Sequence, residues 1–381
     1  MPEVLVVGAG PAGLAAGAEL KRRGLDPILV DGADKVGDSW RAHYDRLHLH
    51  TVRWLSGLPG LPIPKQEGKW VPRDGVVRYL KTYVRHHGLS IRHGTEVKQI
   101  ERTGDTWSAY TDDGPITADS VVVATGYNRR PRLPDWPGLD GFTKPLIHSS
   151  EYRNPEPYRG KSVLVVGPGN SGAEIVVDLV EGGAREVTIA VRTPPNIMRR
   201  DIRGFPSQVT GMLMRHLPLR VVDVMARGVR RVSIGDLRPY GLPPPKRGVY
   251  TRIVEDAVVP ILDIGLVDLV KAGTVRVVKA VTSFDGDEVV LADGTRLRPD
   301  AVIAATGFDR GLEDLVGHLD ILGTHGRPVV RGSATHPNAP NLYFIGFANP
   351  ISGALREARL EAKRIARAIQ RSRGKRLQRA G

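Results

Sequence analysis

The sequence predicts an α/β protein, because a strand–turn–helix pattern occurs twice along its 381 residues. Residues 5–13 read LVVGAGPAG, and residues 164–172 read LVVGPGNSG. Each run starts with consecutive apolar residues, which is typical of a strand buried in a parallel sheet. A β-rich run that ends in Ala-Thr-Gly follows each copy, at residues 124–126 and 305–307. A repeat at this distance indicates two related units rather than a solenoid.

Each glycine turn lies between a predicted strand and a predicted helix. The first helix should end at Gly24 and the second at Gly182 and Gly183, because glycine commonly terminates helices. Residues 194–250 are rich in Arg and Pro and predict loops with one or two helices. In chain order, we predict a strand at Val4–Val7, a helix at 13–23, strands at Pro27–Val30 and 163–166, a helix at 172–180, a strand at 186–191 and a helix at 353–371. The strand–helix–strand order is that of a dinucleotide-binding, Rossmann-like unit.

Composition restricts the class of protein further. The chain has no cysteine, which excludes disulfides, thiol nucleophiles and a redox-active cysteine pair. The net charge is +14, but the basic residues are spread along the chain without a nucleic-acid-binding motif, so we expect no nucleic-acid partner. No apolar run approaches the ~18 residues needed to span a bilayer, and we expect no stable membrane insertion. The N-terminus lacks a secretory pattern, which predicts a cytoplasmic location.

The first glycine turn has the spacing of a dinucleotide phosphate site. Gly8 permits the tight turn, Gly10 lets a pyrophosphate approach the backbone, and Gly13 lets the helix pack on the strand. Asp31 follows the second strand, 23 residues after Gly8, where its carboxylate can accept hydrogen bonds from ribose hydroxyls. This acid would repel a 2′-phosphate, so the first unit should hold FAD or NAD(H). We assign to this site Gly8, Gly10, Pro11, Ala12, Gly13 and Asp31.

The second glycine turn repeats the geometry with the opposite charge. Arg192 stands at the position that matches the acid, 25 residues after Gly167. An arginine there suits the 2′-phosphate of NADPH. For the nearby Arg199 and Arg200, a phosphate contact and a solvated surface position are equally plausible. We assign to this second site Gly167, Gly169, Asn170, Ser171, Gly172 and Arg192.

The two sites together predict FAD in the first unit and NADPH in the second, so that hydride passes from nicotinamide to flavin. Because no cysteine pair can take the electrons, the acceptor is oxygen, a quinone or a small carrier protein. We assign residues 1–150 to the first part of an FAD-binding domain and residues 151–306 to an inserted NADPH-binding domain. Residues 307–381 then form the C-terminal part of the FAD-binding domain.

Several further motifs resemble one family over nearly the whole chain. Residues 37–40, GDSW, are similar to a GGxW turn beside the flavin, and residues 44–50, YDRLHLH, resemble a segment that runs past the flavin ring. Residues 341–347, NLYFIGF, resemble a closing flavin strand. These motifs are those of class B flavin-dependent monooxygenases, which include flavin-containing monooxygenases, YUCCA-type enzymes and bacterial CzcO-like flavoproteins.

The fingerprint of this family, F-x-G-x-x-x-H-x-x-x-(F/Y/W), is matched in part. Phe142, His148 and Tyr152 agree with it, whereas Lys144 replaces the glycine. Tyr152 resembles the N/S-oxygenating and YUCCA branches more than the Baeyer–Villiger branch. His50 stands about where flavin-containing monooxygenases carry an active-site asparagine, which again favours the YUCCA branch.

The resemblance implies an FAD-dependent, NADPH-consuming monooxygenase. Such an enzyme inserts one oxygen atom from O2 into a small organic substrate through a flavin C4a-(hydro)peroxide. It also implies that Trp40, Val97, Ala124 and His50 are further cofactor contacts. His50 is our catalytic candidate, a neutral imidazole that donates to the flavin peroxide or to NADP+, and a packed histidine of the pocket wall is nearly as plausible. We expect a monomer or homodimer, and no metal site.

Two other functions remain open at this point. One is an NAD(P)H-dependent flavin reductase or oxidase without oxygen transfer, and the other is a nucleotide-binding sensor without turnover. The substrate also remains open among amines, thioethers, α-keto acids and ketones.

Overall fold

The computed structural model describes residues 3–202, 204–214, 217–256, 258–348 and 350–380. The chain divides into two compact units. Unit 1 consists of Met1–Arg41, Thr51–Arg130 and Phe308–Gly381, and unit 2 consists of Ala42–His50 and Pro131–Gly307. The second unit is therefore inserted into the first, as the order of the two glycine motifs predicts.

The secondary structure is mixed α/β. In chain order, the strands are β1 (Val4–Val7), β2 (Pro27–Val30), β3 (Ile91–Arg92), β4 (Gln99–Thr103), β5 (Thr106–Thr111), β6 (Gly114–Ala118), β7 (Ser120–Val123), β8 (Arg130–Pro131), β9 (Leu146–His148), β10 (Ser162–Val166), β11 (Glu186–Ala190), β12 (Ile197–Arg199), β13 (Asp201–Ile202), β14 (Phe205–Pro206), β15 (Ile261–Asp263), β16 (Val275–Val278), β17 (Val281–Asp285), β18 (Glu288–Leu291), β19 (Arg296–Leu297), β20 (Ala301–Ala304), β21 (Phe308–Asp309), β22 (Leu322–Gly323), β23 (Arg327–Pro328) and β24 (Leu342–Phe344). The α-helices are α1 (Pro11–Lys21), α2 (Asp38–Arg41), α3 (Arg73–His87), α4 (Asn170–Glu181), α5 (Ser207–Met214), α6 (Leu219–Ser233), α7 (Val249–Thr251), α8 (Leu266–Lys271), α9 (Glu313–Val316) and α10 (Ala354–Ala380).

Unit 1 is built on a parallel sheet with the strand order β24-β7-β1-β2-β3. Its central strand β1 is wholly buried, which explains the continuous apolar run in the sequence. An antiparallel meander of β4, β5 and β6 belongs to the same unit. The carboxyl ends of β1 and β7 meet where the amide of Ala124 donates to the carbonyl of Val7, at 2.8 Å. The first glycine turn starts at this edge.

Unit 2 repeats this arrangement with a parallel sheet of order β16-β11-β10-β20-β9. An antiparallel meander of β17, β18 and β19 accompanies it. The amide of Ala305 donates to the carbonyl of Val166 at 2.8 Å, which matches the contact between Ala124 and Val7 in unit 1. The sequence repeat therefore corresponds to two like-built sheets, and the predicted α/β class is confirmed.

Most predicted elements occur within a few residues of their expected bounds. The strands β1 and β2 have the predicted bounds, whereas α1 and α4 each begin two residues earlier than predicted. Proline at the first position of α1 explains its early start, since the fixed φ of proline suits a helix N-terminus. The segment 194–250 contains α5 and α6, together with short strands. The final helix α10 continues past the predicted end at 371 to Ala380.

The unit boundaries differ from those predicted at 150/151 and 306/307. Residues 131–150 lie in unit 2, because β9 pairs in parallel with β20 and completes that unit's sheet. The second boundary follows Gly307, one residue later than predicted. Residues 42–50, which we placed in the first domain, also belong to unit 2. Their side chains bond to α4, and no local sequence pattern indicates such a distant partner.

Within the described ranges, no helix has the length and apolar character needed to cross a membrane. The same part of the chain contains no group of three or more histidine, aspartate or glutamate side chains placed to hold a metal ion.

Candidate functional site

The first glycine turn leaves an open cradle beside a closely packed backbone. Gly8 has a φ of +104°, and a Cβ there would lie 2.5 Å from the carbonyl oxygen of Ala124. A Cβ on Gly13 would lie 1.8 Å from the carbonyl oxygen of Gly8. A Cβ on Gly10 would meet nothing within 4 Å. Gly8 and Gly13 therefore allow the turn to close, and Gly10 faces free space.

Helix α1 begins at this cradle without a side-chain cap. Gly10 is its N-cap residue and has no side chain to bond the first-turn amides. The N–H groups of Ala12 and Gly13 are thus directed to the helix N-terminus, where a phosphate is favoured. Pro11 has no N–H, so it pre-sets the first helical φ and donates no hydrogen bond to a ligand. The turn fits the pyrophosphate of a dinucleotide.

Asp31, the residue that we assigned to the ribose hydroxyls, also forms hydrogen bonds that stabilise the glycine turn. Its Oδ2 accepts a hydrogen bond from the amide of Ala9 at 2.6 Å, and its Oδ1 accepts one from the amide of Ala33 at 2.8 Å. The residue is half-buried. Because a carboxylate has about four acceptor positions, it can still accept hydrogen bonds from two ribose hydroxyls.

Three further predicted cofactor contacts lie in unit 1. Ala124 is buried and forms the wall of the glycine turn through its carbonyl. Val97 is buried among core side chains. Trp40 is half-buried in the short helix α2. The buried hydroxyl of Thr125 has no hydrogen-bond partner in the described part of the chain, and its Cα lies beside Gly8.

A loop after β24 completes this cradle, and its Gly346 lies in the family motif at 341–347, where we gave the glycine no role of its own. Gly346 has a φ of +80°, and a Cβ there would lie 2.8 Å from the Cβ of Ala12. The amide of Gly346 donates to Oε2 of Glu361 at 3.0 Å. Burial raises the pKa of this carboxyl group, although the Gly346 amide opposes the rise. Gly346 and Glu361 thus hold the loop against the start of α1.

The second glycine turn in unit 2 has the same construction. Gly167 has a φ of +109°, and a Cβ there would lie 2.4 Å from the carbonyl oxygen of Ala305. A Cβ on Gly172 would lie 2.0 Å from the carbonyl oxygen of Gly167, whereas one on Gly169 would meet nothing within 4 Å. Helix α4 also begins without a side-chain cap. This turn therefore also fits a dinucleotide phosphate.

The two polar side chains of this turn differ in their partners. Oδ1 of Asn170 accepts a hydrogen bond from the amide of Leu262 at 2.8 Å, and its Nδ2 donates to the carbonyl of Pro260 at 3.2 Å. The Asn170 side chain thus holds β15, and the part of this residue at the glycine turn is its backbone at the start of α4. Ser171 is half-buried, and its hydroxyl has no hydrogen-bond partner among the described residues.

The three arginines that we considered for the 2′-phosphate differ in their burial and in their ion pairs. Arg192 is exposed just after β11 and forms no ion pair or hydrogen bond with the described part of the chain. Arg199 forms ion pairs with Asp263 and Asp268, both at 2.6 Å, so its charge is already balanced. Arg200 is half-buried, and burial lowers its pKa. Of the three, Arg192 is the arginine without an ion pair or hydrogen bond in the described part of the chain.

Residues 42–50 carry two side chains that bond to one face of α4. Oη of Tyr44 donates to Oε2 of Glu174 at 2.9 Å. Nη1 of Arg46 lies 3.2 Å from Oδ1 of Asp178 and 2.8 Å from Oε2 of Glu181. Glu174, Asp178 and Glu181 are four and three positions apart, which places them on the same helix face. Glu174 and Asp178 stand among the buried apolar residues of α4, and we gave them no role from the sequence.

His50 is bonded to this face as well. Its Nε2 lies 2.6 Å from Oε1 of Glu174, whose side chain is 3% exposed. Burial would raise the pKa of Glu174, but the charge of His50, the hydrogen bonds from His50 and Tyr44, and the charge of Arg200 lower it. An ionised Glu174 is therefore the acceptor, and Nε2 of His50 carries the proton that is donated.

The fingerprint residues act within unit 2. Nε2 of His148 donates to the carbonyl of Gly307 at 3.0 Å, and its Nδ1 accepts from the Ser150 amide at 3.1 Å. Oη of Tyr152 donates to Oδ2 of Asp178 at 2.8 Å. Lys144, which replaces the fingerprint glycine, lies 3.4 Å from a carboxylate oxygen of Asp287. Two fingerprint residues therefore make tertiary contacts in unit 2: His148 bonds to the backbone of Gly307, and Tyr152 bonds to a side chain of α4.

Comparison with known proteins agrees with this geometry. A family model described as pyridine nucleotide-disulphide oxidoreductase matches residues 5–203. The indole-3-pyruvate monooxygenase YUCCA1 of Oryza sativa subsp. japonica is 35% identical over 313 residues, which cover 81% of this chain and 77% of that protein. A flavin-containing monooxygenase from Stenotrophomonas maltophilia has a TM-score of 0.75 and 25% identity, with 97% of this chain and 98% of that chain covered. OTEMO, solved in complex with FAD and NADP, has a TM-score of 0.74 at 17% identity over 98% of this chain and 85% of that chain, and shows the fold alone.

These matches define an α/β oxidoreductase of the flavin monooxygenase class. The chain belongs to the pyridine nucleotide-disulphide oxidoreductase family and, with the YUCCA enzymes, to its flavin monooxygenases. The family resemblance found in the sequence is thereby confirmed. The chain has no cysteine, so it cannot use a thiol pair as disulphide reductases do.

Proposed function

We propose that the protein is an FAD- and NADPH-dependent monooxygenase, with FAD in unit 1 and NADPH in unit 2. The observation that carries this proposal is the pair of open glycine cradles with opposite charges at their ribose positions, Asp31 in one and Arg192 in the other. A carboxylate accepts ribose hydroxyls and repels a 2′-phosphate, whereas an unpaired guanidinium attracts one. The related fold of OTEMO, solved with FAD and NADP, supports the same pair of cofactors.

FAD, once bound and reduced by NADPH, supplies the chemistry that activates O2. The protein's own part is to bind and orient the two dinucleotides and to control protons near the reacting atoms. Gly10 and the amides of Ala12 and Gly13 would receive the FAD pyrophosphate, and Gly169 with the Ser171 hydroxyl would receive that of NADPH. No residue of this chain can act as a thiol relay, and among the remaining acceptors we propose O2, because the relatives are named as monooxygenases.

The proposed substrate is a small organic molecule that receives one oxygen atom. The curated relatives are named as indole-3-pyruvate monooxygenases, and indole-3-pyruvate is an α-keto acid. This name favours α-keto acids among the four substrate classes that the sequence leaves open. Amines, thioethers and ketones serve as comparison substrates.

The test is aerobic turnover with NADPH and isotopically labelled O2. The purified protein is incubated with one member of each substrate class, and NADPH consumption, hydrogen peroxide and labelled product are measured together. We expect one labelled oxygen atom per product and the highest product-to-NADPH ratio with the α-keto acid. Hydrogen peroxide as the sole oxygen product with every class would instead assign the protein as a flavin reductase or oxidase. A flavin that NADPH does not reduce would contradict the whole proposal.

A further inference from the structure

The contact between His50 and Glu174 determines which ring nitrogen of His50 can act. A neutral imidazole has one donor and one acceptor nitrogen, and its tautomer is set by the hydrogen bond that one nitrogen makes. Nε2 of His50 lies 2.6 Å from a Glu174 oxygen, and no described residue bonds to its Nδ1. The His50 side chain is 25% exposed, so part of the ring remains accessible.

Glu174 is held in place as an ionised acceptor from several directions. Tyr44 donates to its second oxygen, Oε2, and the charge of Arg200 also acts on it. Arg46 and Asp178, the next charged pair along the same face, bond to each other at 3.2 Å. Burial and the nearby carboxylate raise the pKa of Tyr44, so its hydroxyl stays protonated and keeps donating. Glu174 therefore has no proton of its own to give to His50.

We propose that Glu174 is a positioning residue that holds neutral His50 in its Nε2–H tautomer and leaves Nδ1 as the reactive nitrogen. Neutral His50 then accepts a hydrogen bond at Nδ1 from water or from an acidic group of the bound substrate, and that donor loses the proton if it is transferred. The resulting imidazolium carries the proton on Nδ1, and its charge is balanced by Glu174. The proposed role differs from the one expected from the sequence, in which a neutral His50 donates, because only the protonated ring has a donor at Nδ1 when Nε2 is bonded to Glu174.

The catalytic role of Nδ1 depends on the proposed monooxygenase function. The assignment of the His50 tautomer does not depend on it, because it follows from the contact with Glu174. Glu174 lies in α4, the helix whose first turn is the second glycine cradle, so it is also close in sequence to the proposed NADPH site. Its own contacts are to Tyr44 and His50 and not to the cradle residues. Loss of its carboxylate should therefore change the tautomer of His50 and leave NADPH binding almost unchanged.

The first experiment measures the tautomer by 15N NMR on the full-length protein labelled at histidine. The chain has 11 histidines, and the signal of His50 is assigned by its loss in a His50→Asn variant. In mildly alkaline buffer we expect the Nε2–H pattern for the unmodified protein. We expect Glu174→Gln to shift His50 toward the Nδ1–H pattern, because an amide can donate to Nε2. Unchanged His50 signals in Glu174→Gln would overturn the proposal.

Tyr44→Phe is the matched control. It removes the hydrogen bond to the other oxygen of Glu174 without touching His50. We expect Tyr44→Phe to retain the Nε2–H pattern of His50. A change in the His50 signals as large as that in Glu174→Gln would show that they report a conformational change of residues 42–50 and not the tautomer. Glu174→Asp keeps the acceptor charge on a shorter side chain, so it replaces Glu174→Gln if that variant does not fold and should preserve the tautomer. Loss of the Nε2–H pattern in a folded Glu174→Asp variant would contradict the proposal.

The second experiment measures the fraction of NADPH that yields oxygenated product. We expect Glu174→Gln to lower this fraction and to leave the KM for NADPH within about twofold. The double variant Glu174→Gln/His50→Ala should be no worse than His50→Ala alone, since both act through one imidazole. Additive losses would overturn the catalytic part of the proposal. If the unmodified protein forms no product, the proposed function fails while the NMR result still decides the tautomer.

Discussion

Nε2 of His50 lies 2.6 Å from Oε1 of Glu174, although the two residues are 124 positions apart in the chain. The contact lies wholly within unit 2 and joins residues 42–50 to the helix that follows the second glycine turn. It places the candidate catalytic imidazole beside an ionised carboxylate rather than in a purely apolar wall. The hydrogen bond fixes the position of one ring nitrogen of His50.

The first prediction concerns His50 itself. We expect His50→Ala to leave the rate of flavin reduction by NADPH almost unchanged and to convert much of the NADPH consumption into hydrogen peroxide. The physical reason is that the variant removes the proton-exchanging nitrogen but none of the residues of the two glycine cradles. Stopped-flow reduction and the peroxide-to-product ratio test this. A variant that loses FAD or unfolds would show that His50 is structural.

The second prediction separates two glycines of the first turn. Gly10→Ala should leave the melting temperature of the FAD-free protein within about 2 °C, because the added Cβ meets no atom within 4 Å. It should nevertheless raise the Kd for FAD by roughly tenfold or more, since the methyl group occupies the space of the pyrophosphate. Fluorescence titration with FAD measures this change.

Gly13→Ala is the matched comparison for Gly10→Ala. Its Cβ would lie 1.8 Å from the carbonyl oxygen of Gly8, and this overpacking should lower the melting temperature of the FAD-free protein by several degrees. Equal behaviour of the two variants would contradict the open cradle at Gly10.

The third prediction concerns the choice of coenzyme. Arg192→Ala should raise the KM for NADPH by roughly 10- to 100-fold, because a charge-assisted hydrogen bond to a phosphate is worth about 1.5–3 kcal/mol. The KM for NADH should hardly change, since NADH lacks the 2′-phosphate. Arg185→Ala is the control, because Arg185 is an exposed arginine of the same unit that is already paired with Asp300 at 3.0 Å. Equal losses for NADPH and NADH would assign Arg192 a structural role.

The fourth prediction concerns acid stability. Burial lowers the pKa of His148 from its ordinary value of 6.5. Below about pH 6.5 the unfolded chain therefore binds a proton at this residue that the folded chain does not. The unfolded state then binds more protons, so the free energy of unfolding falls as the pH drops from about 6.5 toward the lowered pKa.

His148→Gln should remove this part of the pH dependence. We expect its melting temperature to fall less between about pH 8 and pH 5 than that of the unmodified protein. His93→Gln is the control, because it makes the same substitution at an exposed histidine. A His148→Gln profile parallel to that of the unmodified protein would mean that His148 titrates alike in the folded and unfolded states.

The sequence by itself predicted the α/β class, the inserted second unit and the two glycine turns. Each turn depends on backbone geometry within nine residues, where Gly8 and Gly167 need positive φ and Gly13 and Gly172 allow close approach. Such local requirements can be recognised in the sequence as a regular spacing of glycines. Buried strands can be recognised as runs of consecutive apolar residues. The family motifs are local in the same way.

The tertiary structure alone decided which partner each polar side chain takes. Asn170 has the spacing of a cofactor contact, yet its side chain bonds to the backbone at 260 and 262. Arg199 is a residue type that commonly binds phosphate, yet its guanidinium forms ion pairs with two carboxylates. A buried charge must be balanced by whatever group the fold brings next to it, and that group is often far away in the sequence. The contact between His50 and Glu174 is of this kind, because the fold brings together two residues that lie 124 positions apart in the chain. No local spacing in the sequence could have predicted it.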